Sequence, residues 1–290
     1  MTTCPRLDAD IVDTSEGPRL ITADGASFRL PAWDAVVVSV LHRLRRGDLP
    51  EALTPQQRRA LEPLLAWLRA HSLLNETPSS PLRGWRVRLY GLAPLGARLA
   101  RGLLRLGVAE LTLVPSGSSP LRVKDPLAAV FGNARRDPCP RVRVDPHWTL
   151  TDPRIDLAIV AGPGIEPDRV VLSELGRAGV PALVVSAHLG VARVGPLTAP
   201  GARGCWRCRD LHIAESDHGW PQVVTALSSR SPEPRPAVAA WAANLALMQL
   251  ACYRHRGTCD VVGRCVCWDD TDPGLRIISC TPHDACSCAG

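Results

Sequence analysis

The chain has a single lysine, Lys124, among 34 basic residues, and only two phenylalanines, two tyrosines and two methionines in 290 residues. The near-absence of lysine, beside 27 prolines, is the mark of a compositional bias such as a GC-rich coding sequence imposes. The arginines as a class therefore carry no signal of arginine-specific recognition. Charge of one sign is also scarce. A net +6 over the whole length gives no nucleic-acid footprint. No apolar run approaches the ~18–20 residues a membrane span needs. The start, Met1-Thr2-Thr3-Cys4-Pro5-Arg6, lacks the charged and then apolar regions of a secretory signal. These absences predict a cytoplasmic protein with neither a membrane nor a nucleic acid as partner. No Ser-His-Asp or paired-carboxylate arrangement stands out, and Asp269-Asp270-Thr271-Asp272 reads as a solvated turn.

Cysteine is what the chain has in excess. Eleven cysteines in a cytosolic protein favour metal ligation over disulfides. Cys205-Trp206-Arg207-Cys208 and Cys286-Ser287-Cys288 are two close pairs far apart in sequence, the arrangement one tetrahedral structural zinc draws its four soft ligands from. Cys259, Cys265, Cys267 and Cys280 are alternative ligands on spacing alone, whereas Cys4, Cys139 and Cys252 have no nearby partner and read as plain thiols.

Residues 1–78 form one organisational unit. Arg6 to Ile11, Arg19 to Thr22 and Ser27 to Leu30 are short extended stretches, separated by turn signals at Glu16-Gly17-Pro18 and Asp24-Gly25. Pro31 to Asp34 opens a helix over Ala35–Leu44 that Gly47-Asp48 ends. Thr54-Pro55 caps a second helix with Leu61, Leu64, Leu65 and Leu68 on one stripe, and Pro63 is expected to kink or restart it. Strands followed by helices read as a winged helix-turn-helix module. Its 9 arginines against 10 acids over residues 1–80 argue against DNA, which leaves a DNA-binding regulator as the weakest functional reading. Such a module instead clasps an extended peptide that joins its sheet.

Glu76–Gly84 is a Pro/Ser-rich linker, and residues 79–290 follow a different pattern. Trp85–Tyr90 (strand), Gly91–Gly96 (turn), Ala97–Leu106 (helix) and Leu111–Val114 (strand) make a βαβ unit, and Asp156–Val160, Asp168–Arg177 and Ala182–Ser186 continue it. The fold class is therefore α/β, with a Rossmann-like domain after the N-terminal module. A nucleotide site wants Gly-x-Gly-x-x-Gly followed by an acidic residue after the second strand. Here Ala93 replaces the middle glycine, Pro94 removes a backbone donor, and Pro115 with Ser116–Pro120 stands where the acid belongs.

The N-terminal module, with its closing run Leu64–Leu74, resembles the PqqD-like recognition element of enzymes that make ribosomal peptide natural products. The resemblance implies that a leader peptide lies between Ser27, Phe28, Arg29 and Leu30 on the third strand and Arg58, Arg59, Leu65 and Arg69 on the last helix. Gly195-Pro196-Leu197, the box Cys205-x-x-Cys208-x-Asp210-Leu211-His212, Trp220-Pro221 and the tail His283-x-x-Cys286-x-Cys288 resemble the ThiF/MoeB superfamily of ubiquitin-activating-type enzymes. Within it they resemble the ThiF-like leader-binding proteins of azole-forming peptide clusters. This tail match selects Cys205, Cys208, Cys286 and Cys288 as ligands of a structural zinc, with His212 and His283 as supporting groups.

Active superfamily members hold ATP with an aspartate, an Arg-Asn-Arg cluster, a lysine and a metal. Lys124 lies too early to match that lysine, and Gly132-Asn133-Ala134-Arg135-Arg136 stands roughly in its place, so no ATP is expected. The resemblance implies a non-catalytic subunit that binds a precursor leader and delivers it to a partner YcaO-type cyclodehydratase, and a possible homodimer. The competing reading is an ATP-dependent peptide-carboxylate adenylating enzyme of the ThiF/MccB type. For it counts the +7 balance of residues 81–160, 13 basic against 6 acidic.

Overall fold

The computed structural model describes residues 5–30, 35–46, 55–75, 80–115, 126–131, 141–150, 154–199, 204–272 and 274–289. It divides into two compact units, Met1–Ser79 and Ser80–Gly290. Pro31–Asp34, Gly47-Asp48, Thr54, Ser116–Pro120, Lys124, Asn133, Arg135, Arg136, Cys4 and Cys139 lie outside the described residues, as does the side chain of Arg58.

The first unit contains β1 (Arg6–Leu7), β2 (Asp10–Val12), β3 (Arg19–Ile21), β4 (Ser27–Phe28), α1 (Ala35–Arg46), α2 (Pro55–Ala70) and β5 (Leu74–Asn75). Strands β2, β3 and β4 form an antiparallel sheet in that order, while β1 pairs with β5. The stretch Arg6 to Ile11 is thus two strands rather than one. Asp8 donates its backbone N–H to the Leu73 carbonyl at 2.8 Å, so the chain leaves one ladder before entering the next. Gly17 and Gly25 turn the hairpins at φ 103° and 85°, in the left-handed region only glycine enters freely. Helix α2 runs unbroken through Pro63. The proline and Arg59 are both exposed, so the carbonyl left without a donor faces water and the helix survives. Leu7, Leu20, Leu30, Leu41, Leu44, Leu61, Leu65, Leu68 and Leu73 fill the core.

The second unit is built on an eight-stranded sheet. Its parallel part contains β6 (Arg86–Tyr90), β7 (Glu110–Val114), β8 (Arg141–Val144), β9 (Leu157–Val160) and β10 (Ala182–His188), and its antiparallel part β11 (Val191–Thr198), β12 (Arg264–Asp269) and β13 (Arg276–Ser279). The order is β13-β12-β11-β10-β9-β6-β7-β8. The strand order reverses between β6 and β9, the crevice at which open α/β sheets take ligands. Helices α3 (Pro94–Arg105), α4 (Pro126–Phe131) and α8 (Pro236–Arg256) cover one face, where Leu89, Leu99, Leu103, Val130, Ala242 and Ala246 share a core. Helix α5 (Arg169–Arg177) covers the other, with Val160, Val171, Leu175 and Val184 in a second core. Asp168 caps α5, accepting the Val170 N–H at 2.8 Å. Helices α6 (Trp206–Ser216) and α7 (Trp220–Ser228) link β11 to α8. Beyond the sequence expectation, α8 does have the length and apolar composition of a membrane span. In this fold it packs on the sheet with Val238, Ala239, Ala243 and Leu250 buried.

At the reversal point, a Cβ on Gly91 would lie 2.2 Å from the Ala161 carbonyl oxygen, and one on Gly96 2.0 Å from the Gly91 oxygen. Close chain packing therefore requires these two glycines. Ala93 occupies the cap position of α3 with no side-chain hydrogen bond, and Pro94 opens the helix. Pro115 directly follows β7.

Candidate functional site

Among the described residues, the densest set of thiol metal ligands gathers at the start of α6. Gly204 precedes it at φ 90°, and a Cβ there would lie 1.5 Å from the Cys280 carbonyl oxygen. Only glycine lets the chain enter α6 so close to the end of β13. Cys205 is the capping residue and Cys208 follows one turn on, so both thiols leave the same end of the helix. Cys286 and Cys288 come back from the tail turn. Sγ separations are 3.9 Å for Cys205–Cys208, 3.7 Å for Cys205–Cys286 and 3.2 Å for Cys208–Cys288, and all four atoms lie within 4.8 Å of one another. Zinc–sulfur bonds of about 2.3 Å in a tetrahedron set sulfur–sulfur edges of about 3.8 Å. The soft donor set and its spacing fit one zinc ion.

Burial pushes the Cys205 and Cys288 thiols up, Cys288 to about 11. Burial also acts on Cys208, but hydrogen bonds from the Cys205 backbone and the neighbouring thiols outweigh it and bring Cys208 down to about 7. A bound cation would hold all four as thiolates. Cys265, Cys267 and Cys280 pack with Trp206 in the sheet core instead, and Cys259 packs against the α8 cluster. None of them joins the four.

Two histidines flank the thiols. His283 Nδ1 accepts the Ala285 N–H at 3.0 Å, so its Nε2 carries the proton and donates to Glu215 at 2.9 Å. His212 Nε2 lies 3.3 Å from the Pro282 carbonyl. The donor atoms of His212, Glu215 and His283 also cluster, but with its proton on Nε2 His283 has no lone pair to offer there. The trio fastens the tail to α6.

The other residues of the box hold a buried ionic node that sequence reasoning did not find. Glu166, 3% exposed, follows the β9 loop and meets Arg169 at 2.8 Å, Arg193 at 3.2 Å and Arg209 at 3.3 Å. Asp210 takes Arg169 at 2.6 Å and the Trp220 indole N–H at 3.0 Å. Arg209 lies over both Trp206 and Trp220. Asp210 and Trp220 were visible as members of the motif, but Glu166 and Arg193 are remote in sequence and carry no motif. Nearby, burial and then the Arg193 charge hold His188 down at about 4. Asp270 is not merely solvated: it pairs with Arg235 at 2.5 Å.

In the first unit, β4 pairs with β3 alone among the described residues, leaving its other edge open. Ser27 is exposed and Phe28 half-buried beside that edge. Phe28 meets Trp67 edge-on at 6.5 Å and His71 at 5.6 Å, and His71 stacks on Trp67 at 4.2 Å. Trp67 and His71 thus join the strand edge to α2. Arg29 is engaged by Glu16 and Arg69 by Glu62. Arg59 is exposed, while Leu30 and Leu65 sit inside the core.

No protein-family model matches the chain, and none of the curated proteins does. Solved structures do. The chain is similar to E. coli MccB with ATP (TM-score 0.62, 13% identity, 99% of both chains covered). It is likewise similar to the microcin C7 biosynthetic enzyme MccB in complex with N-formylated MccA (0.62, 14%, 99% of both chains). PaaA aligns at TM-score 0.55 and 13% identity over 94% of this chain and 98% of that one. At these identities the likeness is one of fold, and the chain shares the MccB-like fold along essentially its whole length.

Proposed function

We propose that this protein binds the leader of a ribosomally made precursor peptide and delivers it to a YcaO-type cyclodehydratase for azoline formation, without catalysing a step itself. The observation that carries this is the open β4 edge beside the Phe28–Trp67–His71 cluster. An extended peptide adds main-chain hydrogen bonds to such an edge and seats alternate side chains on the aromatic floor. The unit is read as a winged helix-turn-helix recognition module, with Ser27, Phe28, Arg29 and Arg59 nearest the peptide. MccB structures with bound MccA support a peptide-handling role for this architecture.

In the second unit, Cys205, Cys208, Cys286 and Cys288 hold a structural zinc. The Rossmann-like part acts as scaffold, because Ala93 and Pro94 leave α3 without a glycine-cradled phosphate seat. The protein works in the cytoplasm, and a homodimer is the assembly expected for it.

The test is fluorescence polarisation of a labelled leader. Deleting residues 1–78 abolishes binding and leaves zinc in place; a truncated protein that still binds leader refutes the module assignment. A second reading, peptide-carboxylate adenylation, is favoured by the MccB structures with ATP and AMPCPP. Saturable ATP binding that Arg135→Ala abolishes would establish it over the scaffold reading.

A further inference from the structure

Strand β4 sets a frame for whatever chain joins it. The β3–β4 hairpin closes where Thr22 donates its backbone N–H to the Ala26 carbonyl at 3.0 Å. Bonded and non-bonded pairs alternate along an antiparallel ladder. Ser27 opposite Ile21 is therefore a non-bonded pair, and Phe28 opposite Leu20 a bonded one. The N–H and C=O of Phe28 point inward to β3, whereas those of Ser27, and by alternation of Arg29, point to the open edge. An antiparallel strand added there bonds to Ser27 and Arg29. Its residue between those bonds faces Phe28 in a non-bonded pair, with the Cα atoms about 4.5 Å apart and the two side chains in contact on the aromatic face.

His71 stands on that face, and two contacts fix its ring. It stacks on Trp67 at 4.2 Å and meets Phe28 at 5.6 Å. Its Nδ1 lies 2.8 Å from the Trp67 carbonyl oxygen. A carbonyl oxygen only accepts, so Nδ1 carries the proton, and in the neutral ring Nε2 keeps its lone pair. Satisfying a carbonyl at the end of α2 accounts for Nδ1. It leaves Nε2 with no hydrogen-bond partner among the described residues, on an exposed side chain.

We infer that His71 selects the leader residue opposite Phe28, requiring a side chain whose apolar body rests on the aromatic floor and whose hydrogen-bond donor reaches Nε2. Tyrosine, tryptophan and threonine have that chemistry. The inference rests on the leader-binding reading above. A purely apolar residue fills the same space but strips water from the acceptor and leaves it unpaired, and a carboxylate sets a second acceptor against it.

The experiment screens the full chain by fluorescence polarisation against a positional-scanning library of labelled short peptides. Donor-bearing residues dominate one position. There, tyrosine-to-phenylalanine and threonine-to-valine exchanges in the peptide weaken binding about fivefold, the worth of one hydrogen bond. His71→Phe keeps the stack on Trp67 and removes the acceptor, so it binds the members of each peptide pair alike, with an unchanged circular dichroism melt showing that it folds. Wild-type protein that binds both members of each pair equally, or a preference that persists in His71→Phe, overturns the inference and leaves leader binding intact. A library without a binder, or binding that persists after deletion of residues 1–78, removes the leader-module reading and the inference with it.

Discussion

Zinc removal gives the sharpest test of the second unit. The putting-together of Cys205 with Cys286 closes a loop of 81 residues. In an unfolded chain the two pairs are independent, and joining them through one ion costs about 4–5 kcal/mol of loop-closure entropy. In the folded unit that cost has already been met, because the sulfurs stand 3.2–3.9 Å apart. The folded site should therefore bind zinc about three orders of magnitude more tightly than the same four cysteines do in the unfolded chain, and saturating zinc should stabilise the unit by about 4–5 kcal/mol. We expect one equivalent of zinc in the purified protein, its loss in Cys208→Ser, and a fall in the urea midpoint of that size on chelation. Trp206 and Trp220 provide the fluorescence readout, since both pack on Arg209 beside Cys208. An unchanged midpoint after complete metal removal would refute the clamp. Full zinc content in Cys208→Ser would refute the ligand set.

Three further outcomes follow from named contacts. Glu166→Gln leaves three arginines without their buried counter-charge and should cost about 3 kcal/mol in urea unfolding; a loss under about 1 kcal/mol shows the node to be dispensable. His188 falls from 6.5 to about 4 on folding, so the unfolded chain binds the extra proton between those pH values. Stability is then whole above about pH 6.5 and drains by about 3 kcal/mol as pH falls through 4, and His188→Gln should flatten that limb of a pH–stability profile. Phe28→Ala should weaken leader binding about tenfold in polarisation by removing a central aromatic contact, with zinc content untouched; unaltered affinity places the peptide elsewhere.

Four of the five parallel strands were legible because strands buried on both faces are written as apolar runs, whereas β8 alternates arginine with valine at the sheet edge and was not. Leu157–Val160 has all four residues buried. The antiparallel half was not. Strand β12 alternates cysteines with Val266, which on spacing alone read as metal ligands, and its register shows them instead as core packing. Arg6 to Ile11 read as one strand because period-two patterning carries no record of partner, and the switch from β5 to β3 is made by long-range pairing. The motif box displayed Asp210 and Trp220 but not what they hold. Glu166 looks like any acid before a helix until the fold brings Arg193 and Arg209 against it.

The separation of the two thiol pairs also sets a clock on synthesis. A ribosome adding about 5–20 residues per second needs about 4–16 s to travel from Cys205 to Cys286, 81 positions on. Throughout that interval Cys205 and Cys208 form a two-sulfur half-site, open to oxidation and to whatever soft ion is at hand. For the zinc site proposed above, the order of appearance makes metal loading a late event in the life of the nascent chain, and gives the zinc supply a say in how much of the newly made protein becomes stable.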